Sequence, residues 1–372
     1  MIKVLLYCYF PFFESHLGGG VQVWIRKLVE KLDSYNDISL SIICPQSNLH
    51  PMYRSENVHP VLDDLEINGF SPSLYKENME RISLFEKNAD IIWSIDREFP
   101  IKTIKPFLLS LNTICYEREI KSFFNNPWSS VFVVSDFEKA QIISCTERTE
   151  NIKLAPIFID SVFERKNDFE SKERLAKYFA FDSNYKYILF PHRPEAEKGF
   201  YDALSILKEV IKKDQSFRLL IPRQPDSKVA DLKKESAFLQ KVKQEVDEQG
   251  LSGYVIFHDW IEYDDLPYYY SIGFFTLFLS TLPETFGVTL IQSIACCTPV
   301  ISYGTGALSE VVPPGNGHRI VGAHAISEVA EIILNSERIA VNKDRDFVFD
   351  NYNIDKIVSI YHDELVSLQG DK

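Results

Sequence analysis

The chain has 372 residues, with 53 acidic against 40 basic side chains, a formal net charge of −13 at pH 7 and a hydrophobic content of 45%. That length exceeds what one hydrophobic core usually serves, so two domains are expected. Both the first 165 residues and the remainder are acidic, which argues against a nucleic-acid partner or a strongly anionic membrane surface, since phosphate neutralisation needs clustered Lys and Arg.

The stretch "IKVLLYCYF" (2–10) predicts a buried strand, preferred over a signal peptide because no small-residue cleavage site follows. Gly18, Gly19 and Gly20 come next, and "VQVWIRKLVEKL" (21–32) places Val21, Ile25, Leu28, Val29 and Leu32 on one helical face. The runs "ISLSIICP" (38–45), "ADIIWSI" (89–95), "PFLLSLN" (106–112), "SVFVVSD" (130–136) and "NIKLAPIFID" (151–160) predict further strands. Residues 161–184 are charged and carry no strand pattern, which puts the domain boundary there. A second series follows: "YKYILFPHR" (185–193), "FRLLIP" (217–222), a charged helix at about 228–249, "YVIFHDWI" (254–261), "GFFTLFLS" (273–280) and "PVISY" (299–303). The tail "YNIDKIVSIYHDELVSL" (352–368) has helical spacing, and no run approaches the length of a transmembrane helix. Strands alternating with helices predict an α/β chain of two doubly wound, Rossmann-like parallel-sheet domains facing across a cleft.

Six cysteines (Cys8, Cys44, Cys115, Cys145, Cys296 and Cys297) make no CxxC and lie mostly in apolar runs, which favours buried thiols in a reducing compartment over a zinc or redox motif. Eight histidines form no HxxxH pair, so no metal ligands are assigned. Asp63-Asp64 falls in a polar loop, and Asp264-Asp265 begins a helix, where acids are ordinary caps. The aromatic stretch "DDLPYYYS" reads as core, and His192 as structural.

Three stretches carry chemistry. In "PETFGVTLIQSIACC" (283–297) a loop at the carboxyl end of a strand runs into a helix beginning near Gly287. The amides of Phe286, Gly287, Val288 and Thr289 then lack intrahelical partners and, with the helix dipole, suit an anion such as phosphate. Gly287, without a Cβ, permits close approach. Glu284 at the mouth can accept hydrogen bonds from hydroxyls, and Gln292 can reach a second hydroxyl-bearing group beyond the phosphate. Hydroxyls, phosphate, hydroxyls is the order found in a nucleotide sugar. The plainer alternative makes Glu284 a helix-start acid and Gln292 a surface residue. In "FPHRPEAEKGF" (190–200), Arg193 and Lys198 follow a strand and suit phosphate oxygens, or are solvated cations beside Glu195 and Glu197. The "LGGG" turn (17–20) matches neither GxGxxG nor a Walker loop. It suits a phosphate, or is a tight turn and nothing more.

Taken together and in this order, "GGG", "LAPIFID", "PHRPEAEKGF", "VIFHDWIEYDDLPYYYS", "PETFG" and "GTGALSEVVPPGNG" resemble the family 4 glycosyltransferases of GT-B fold, retaining enzymes whose signature is an acid, seven residues and an acid. The resemblance implies an N-terminal acceptor-side domain over 1–165, a donor domain over 166–348, and a helix over 349–372 packing back on the first domain. It implies that Glu284 holds donor-sugar hydroxyls and that Arg193 and Lys198 bind the diphosphate. Phe286 to Thr289 would touch sugar and phosphate through their amides, Gly19 and Gly20 would close over the diphosphate, and Trp260 and Ile261 would border the nucleobase. Glu14, His16 and Asn112, with the stretch Trp93 to Phe99, would lie on the acceptor side.

It further implies a metal-independent hexosyltransferase with no cofactor. The donor would be a nucleotide-diphosphate sugar, UDP being the commonest base in the family. The acceptor would be a glycan or lipid-linked glycan of surface glycan synthesis, and the location cytoplasmic, with peripheral contact at the inner face of a membrane allowed. Three departures stand out: Gln292 replaces the second acid, Asn112 replaces a histidine after the fifth strand, and Cys297 replaces a small glycine. They keep two alternatives open, a GT-B epimerase or phosphorylase and a non-catalytic partner that binds nucleotide sugar.

Overall fold

The structure is a computed structural model that describes residues 1–8, 20–45, 58–61, 72–113, 117–123, 126–223, 237–313, 317–337 and 342–370. It divides into two compact units, one formed by Met1–Phe158 with Ile354–Lys372, the other by Ile159–Asn353.

The first unit contains β1 (Ile2–Cys8), α1 (Gly20–Asp33), β2 (Ile38–Pro45), β3 (Val58–Val61), α2 (Pro72–Asn88), β4 (Ile91–Ile95), β5 (Phe107–Leu111), α3 (Glu117–Phe123), β6 (Ser130–Val133), α4 (Asp136–Thr146), β7 (Ile152–Leu154) and the C-terminal helix Ile354–Gly370. Its seven strands among the described residues pair in parallel in the order β3-β2-β1-β4-β5-β6-β7. The central strands are buried along their whole length, as a parallel sheet covered on both faces requires, which is why they read as continuous apolar runs. The C-terminal helix packs on this unit through the buried Tyr361, whose ring lies 4.6 Å from Phe132, 5.3 Å from Trp93 and 6.1 Å from Trp24. Glu364 of the same helix pairs with Lys153.

The second unit contains α5 (Asp168–Leu175), β8 (Lys186–Leu189), α6 (Phe200–Ile211), β9 (Phe217–Pro222), α7 (Ala237–Glu248), β10 (Val255–His258), a 3₁₀ turn (Tyr263–Asp265), α8 (Leu266–Ile272), β11 (Gly273–Phe278), α9 (Val288–Ala295), β12 (Val300–Tyr303), α10 (Leu308–Val311), β13 (Arg319–Val321), α11 (Ile326–Leu334) and α12 (Asn342–Tyr352). Its six parallel strands among the described residues run β10-β9-β8-β11-β12-β13. The described part of the helix expected at about 228–249 is α7; residues 224–236 lie outside the described residues. Two strands had no sequence prediction, β3 and β13. Each sits at a sheet edge and spans four and three residues, too short for a periodic signal, and β3 contains Pro60, a residue edge strands tolerate.

Both sheets have the order of a doubly wound fold, with the direction of winding reversing between β1 and β4 in one and between β8 and β11 in the other. Ligands of such sheets bind outside the carboxyl ends of the strands at that reversal. No helix among the described residues is long and apolar enough to cross a membrane.

Candidate active site

In the second unit the loops after β8 and β11 leave neighbouring strands at the reversal. They are laced together by main-chain atoms: Thr281 N donates to Glu197 O at 2.9 Å. Thr305 Oγ1 braces the second loop from β12 by donating to Ser280 O at 2.9 Å. Glu284 is fixed by its backbone, which forms a bridge with Gly306 and accepts from Ala307 N at 2.8 Å. Its carboxylate receives Lys198 Nζ at 2.6 Å. The two side chains that the sequence offered as separate sugar and phosphate ligands are therefore one ion pair. Arg193 is about half exposed and lies 3.2 Å from Glu195 Oε1, so one of the two expected cations is paired within its own loop.

Gly287 is the cap of α9 with φ 92 and ψ 57, a left-handed conformation that glycine adopts without penalty. A Cβ there would also lie 2.8 Å from Leu308 Cδ2, so the glycine answers to backbone and packing needs of the protein itself. The first turn closes with Leu290 N donating to Gly287 O at 2.9 Å, and the amides ahead of it have no carbonyl within the helix. Phe286 is buried with its ring edge-on to Tyr352 at 5.2 Å, which leaves its backbone for any ligand. Val288 and Thr289 are half-buried, and Thr289 Oγ1 has no hydrogen-bond partner among the described residues.

Gln292 is not a surface residue. It is 5% exposed, and its Oε1 accepts from Tyr270 Oη at 3.0 Å. The sequence placed Tyr270 in the core by helical spacing. The residue is indeed buried, but its hydroxyl serves the site, which spacing alone cannot reveal. His192 is buried, with its ring centroid 4.4 Å from Phe278 and 5.4 Å from Phe190. Burial, then the charges of Lys198 and Arg193, push its pKa down to about 3, so it stays neutral beside two cations.

Trp260 and Ile261 follow β10, half-buried and buried respectively. That loop lies three strands from β11, about 14 Å at ordinary strand spacing. Tyr178 pins it: the hydroxyl accepts from Glu262 N at 3.1 Å and donates to Asp265 Oδ2 at 2.8 Å. Asp265, read from sequence as a cap, is a buried carboxylate that also pairs with Arg174 at 2.8 Å and Lys177 at 2.9 Å.

In the first unit Gly20 opens α1, while Glu14, His16 and Gly19 lie outside the described residues. Asn112 follows β5 and is buried; its backbone N donates to Asp96 Oδ1 at 2.6 Å and its Nδ2 to Asp96 Oδ2 at 3.3 Å. Within the stretch Trp93 to Phe99, the side chains of Trp93 and Phe99 belong to the core. Asp96 instead stands half-buried at the carboxyl end of β4 with φ 52. Its signal in the sequence was its place, the first charged residue after an apolar strand. No cluster of three or more His, Cys, Asp or Glu side chains suited to a metal ion occurs among the described residues.

The model of the family described as glycosyl transferases group 1 matches residues 171–354, nearly the whole second unit. No curated protein matches the chain in sequence. Solved structures match over its full length. Sucrose-phosphate synthase from Thermosynechococcus elongatus is similar at a TM-score of 0.80 and 16% identity, covering 100% of both chains. A glycosyltransferase from Rickettsia africae is similar at 0.76 and 18%, covering 100% of this chain and 99% of its own. Anabaena HepE, in complex with UDP and glucose, is similar at 0.74 and 14%, covering 99% of this chain and 100% of its own. The fold is GT-B. Within that GT-B frame the match of the group 1 model includes Arg193, Lys198, Glu284, the start of α9 and Gln292.

Proposed function

We propose that the chain is a retaining glycosyltransferase of family 4 that moves a hexosyl group from a nucleotide-diphosphate sugar to an acceptor hydroxyl in surface glycan synthesis. The observation that carries this reading is the Lys198–Glu284 pair, 2.6 Å apart beside the unpaired amides of α9 at the β8/β11 reversal. A phosphate and a hydroxylated ring are the ligands such a pair accommodates together. The match of the group 1 family model over this unit supports it, as does the UDP and glucose held by HepE.

In the proposed reaction the donor diphosphate lies against the amides of Phe286 to Thr289 and the cations Lys198 and Arg193, with Glu284 accepting from sugar hydroxyls. The bond between the anomeric carbon and the phosphate oxygen breaks, and negative charge grows on the leaving diphosphate, where fixed cations and amides stabilise it most. The acceptor oxygen attacks from the same face, and its proton passes to the leaving phosphate oxygen, so no protein base is required. His192, held neutral, takes no part in the proton transfer. Trp260 and Ile261 border the base, and Gln292 meets the pentose. The acceptor, a glycan or lipid-linked glycan, is assigned to the first unit at Asn112, in a cytoplasmic enzyme that needs no metal.

The test is turnover of UDP-, GDP- and ADP-linked sugars with and without glycan acceptors, followed by mass spectrometry and by NMR of the anomeric centre. Acceptor-dependent release of nucleoside diphosphate with an axial-to-axial or equatorial-to-equatorial product is expected. Acceptor-independent turnover would point to an epimerase, and binding without turnover to a non-catalytic partner.

A further inference from the structure

Gln292 lies four residues after Val288, on the same face of α9 and one turn behind its start. Cα–Cβ bonds of a helix tilt toward the N-terminus, so this side chain reaches back toward the unpaired amides. A primary amide has two ends of opposite polarity, an oxygen that accepts and an NH2 that donates. Tyr270 decides between them. Its hydroxyl donates to Gln292 Oε1 at 3.0 Å, and among the described residues this is the one side-chain hydrogen bond Gln292 makes. The phenol is fixed in turn: Thr298 Oγ1 donates to the Tyr270 carbonyl at 2.7 Å, and the ring packs against Tyr269 at 5.7 Å and Phe163 at 6.4 Å. Burial holds its pKa well above the usual range, so it keeps the proton it donates. Turning the amide over would leave that buried O–H without its acceptor, which is the costly case for a hydrogen bond.

We infer, on the donor reading above, that Gln292 meets the pentose of the nucleotide with its NH2, as a hydrogen-bond donor, and that Tyr270 is the positioning residue that fixes this polarity. A carboxylate in the same place would be acceptor-only and would read a pentose hydroxyl by the proton it gives. This chain reads the lone pairs of the oxygen instead. It therefore accepts an acceptor atom at the contacted carbon whether or not that atom carries hydrogen.

The experiment is calorimetric titration of the full chain with whichever of UDP, GDP and ADP binds most tightly, then with its 2′- and 3′-deoxy and 2′- and 3′-fluoro-deoxy analogues. At the contacted carbon the deoxy analogue is expected to bind about threefold to tenfold more weakly, as for one neutral hydrogen bond lost. The fluoro analogue, a weaker acceptor that cannot donate, is expected to bind more tightly than the deoxy analogue and less tightly than the parent. Gln292→Glu reverses this: the parent still binds, and the fluoro analogue falls about tenfold or more behind it because fluorine has no proton for a carboxylate. Tyr270→Phe frees the amide to turn, so the parent gains on the fluoro analogue. Equal losses for deoxy and fluoro analogues overturn the inference and leave the donor reading standing. So do no loss at either carbon, or a fluoro preference unchanged by Gln292→Glu. Failure of all three nucleoside diphosphates to bind overturns both.

Discussion

Lys198 Nζ donates to Glu284 Oε1 across 2.6 Å, from loops that leave adjacent strands of one sheet. The side chains are 27% and 20% exposed, and an ion pair of that accessibility contributes only about 0–1 kcal/mol to folding. Its value lies in what displaces it, since a diphosphate competes for the ammonium and sugar hydroxyls for the carboxylate. Glu284→Gln is therefore expected to leave stability within about 1 kcal/mol in urea titrations. The same variant should lower kcat/KM about 10- to 150-fold, as for a charged hydrogen bond worth about 1.5–3 kcal/mol. Lys198→Ala should raise the Kd of nucleoside diphosphate by a similar factor. Activity lost only in proportion to folded protein would show the pair to be structural.

Gly306 holds the main chain of Glu284 in place. Its φ is 64, and a Cβ there would stand 2.3 Å from Glu284 O and 2.5 Å from Glu284 N. Gly306→Ala must push the Glu284 loop aside by about 1 Å, a displacement that can cost about 10²-fold in rate. The expected result is a folded protein with kcat/KM reduced at least as far as in Glu284→Gln, measured by steady-state kinetics beside circular dichroism. Wild-type kinetics in Gly306→Ala would mean that the position of the loop does not matter.

Tyr178, in the turn after α5, holds the loop carrying Trp260 and Ile261 through Glu262 N at 3.1 Å and Asp265 at 2.8 Å. Tyr178→Phe leaves a buried carboxylate and a backbone N–H each short of a partner, a loss of about 1–3 kcal/mol. If that loop borders the base, Kd for the nucleotide rises while kcat at saturating donor is unchanged. A fall in kcat with Kd intact would separate the loop from the nucleotide.

How much of this was legible in the sequence follows from the range of each interaction. The runs that became β4, β5 and β11 announced themselves because parallel strands buried on both faces are apolar throughout. Arg193, Lys198 and Glu284 were legible as residues because each follows such a run, where sheet ligands gather. Their pairing was not, for 86 residues separate Lys198 from Glu284 and only the β8–β11 adjacency joins them. Tyr270 and Asp265 were read by local rules, spacing and capping. Both rules describe where the residues sit and omit the contacts at 3.0 Å to Gln292 and 2.8 Å to Arg174 that give them their roles. The edge strands β3 and β13 were too short for any periodicity.

Asp96 offers a pH test in the first unit. Burial pushes its carboxyl up to about 6 from an ordinary 3.8, against the downward pull of hydrogen bonds from Asn112 and Thr113. An acid whose folded-state pKa lies above its unfolded value binds its proton more tightly when folded, so the stability it contributes is full below about pH 4 and is lost as pH rises through about 6. Glu138 is buried nearby and also pushed up, so the wild-type curve alone mixes two groups. Asp96→Asn isolates one of them. The stability of wild type minus that of Asp96→Asn is expected to decline between about pH 4 and 6, by up to about 3 kcal/mol at 1.36 kcal/mol per unit, and to level off above. Urea titrations across that range decide it. A difference that grows with pH would mean that the bonds from Asn112 and Thr113 outweigh burial, and that Asp96 is an ordinary ionised carboxylate at the end of β4.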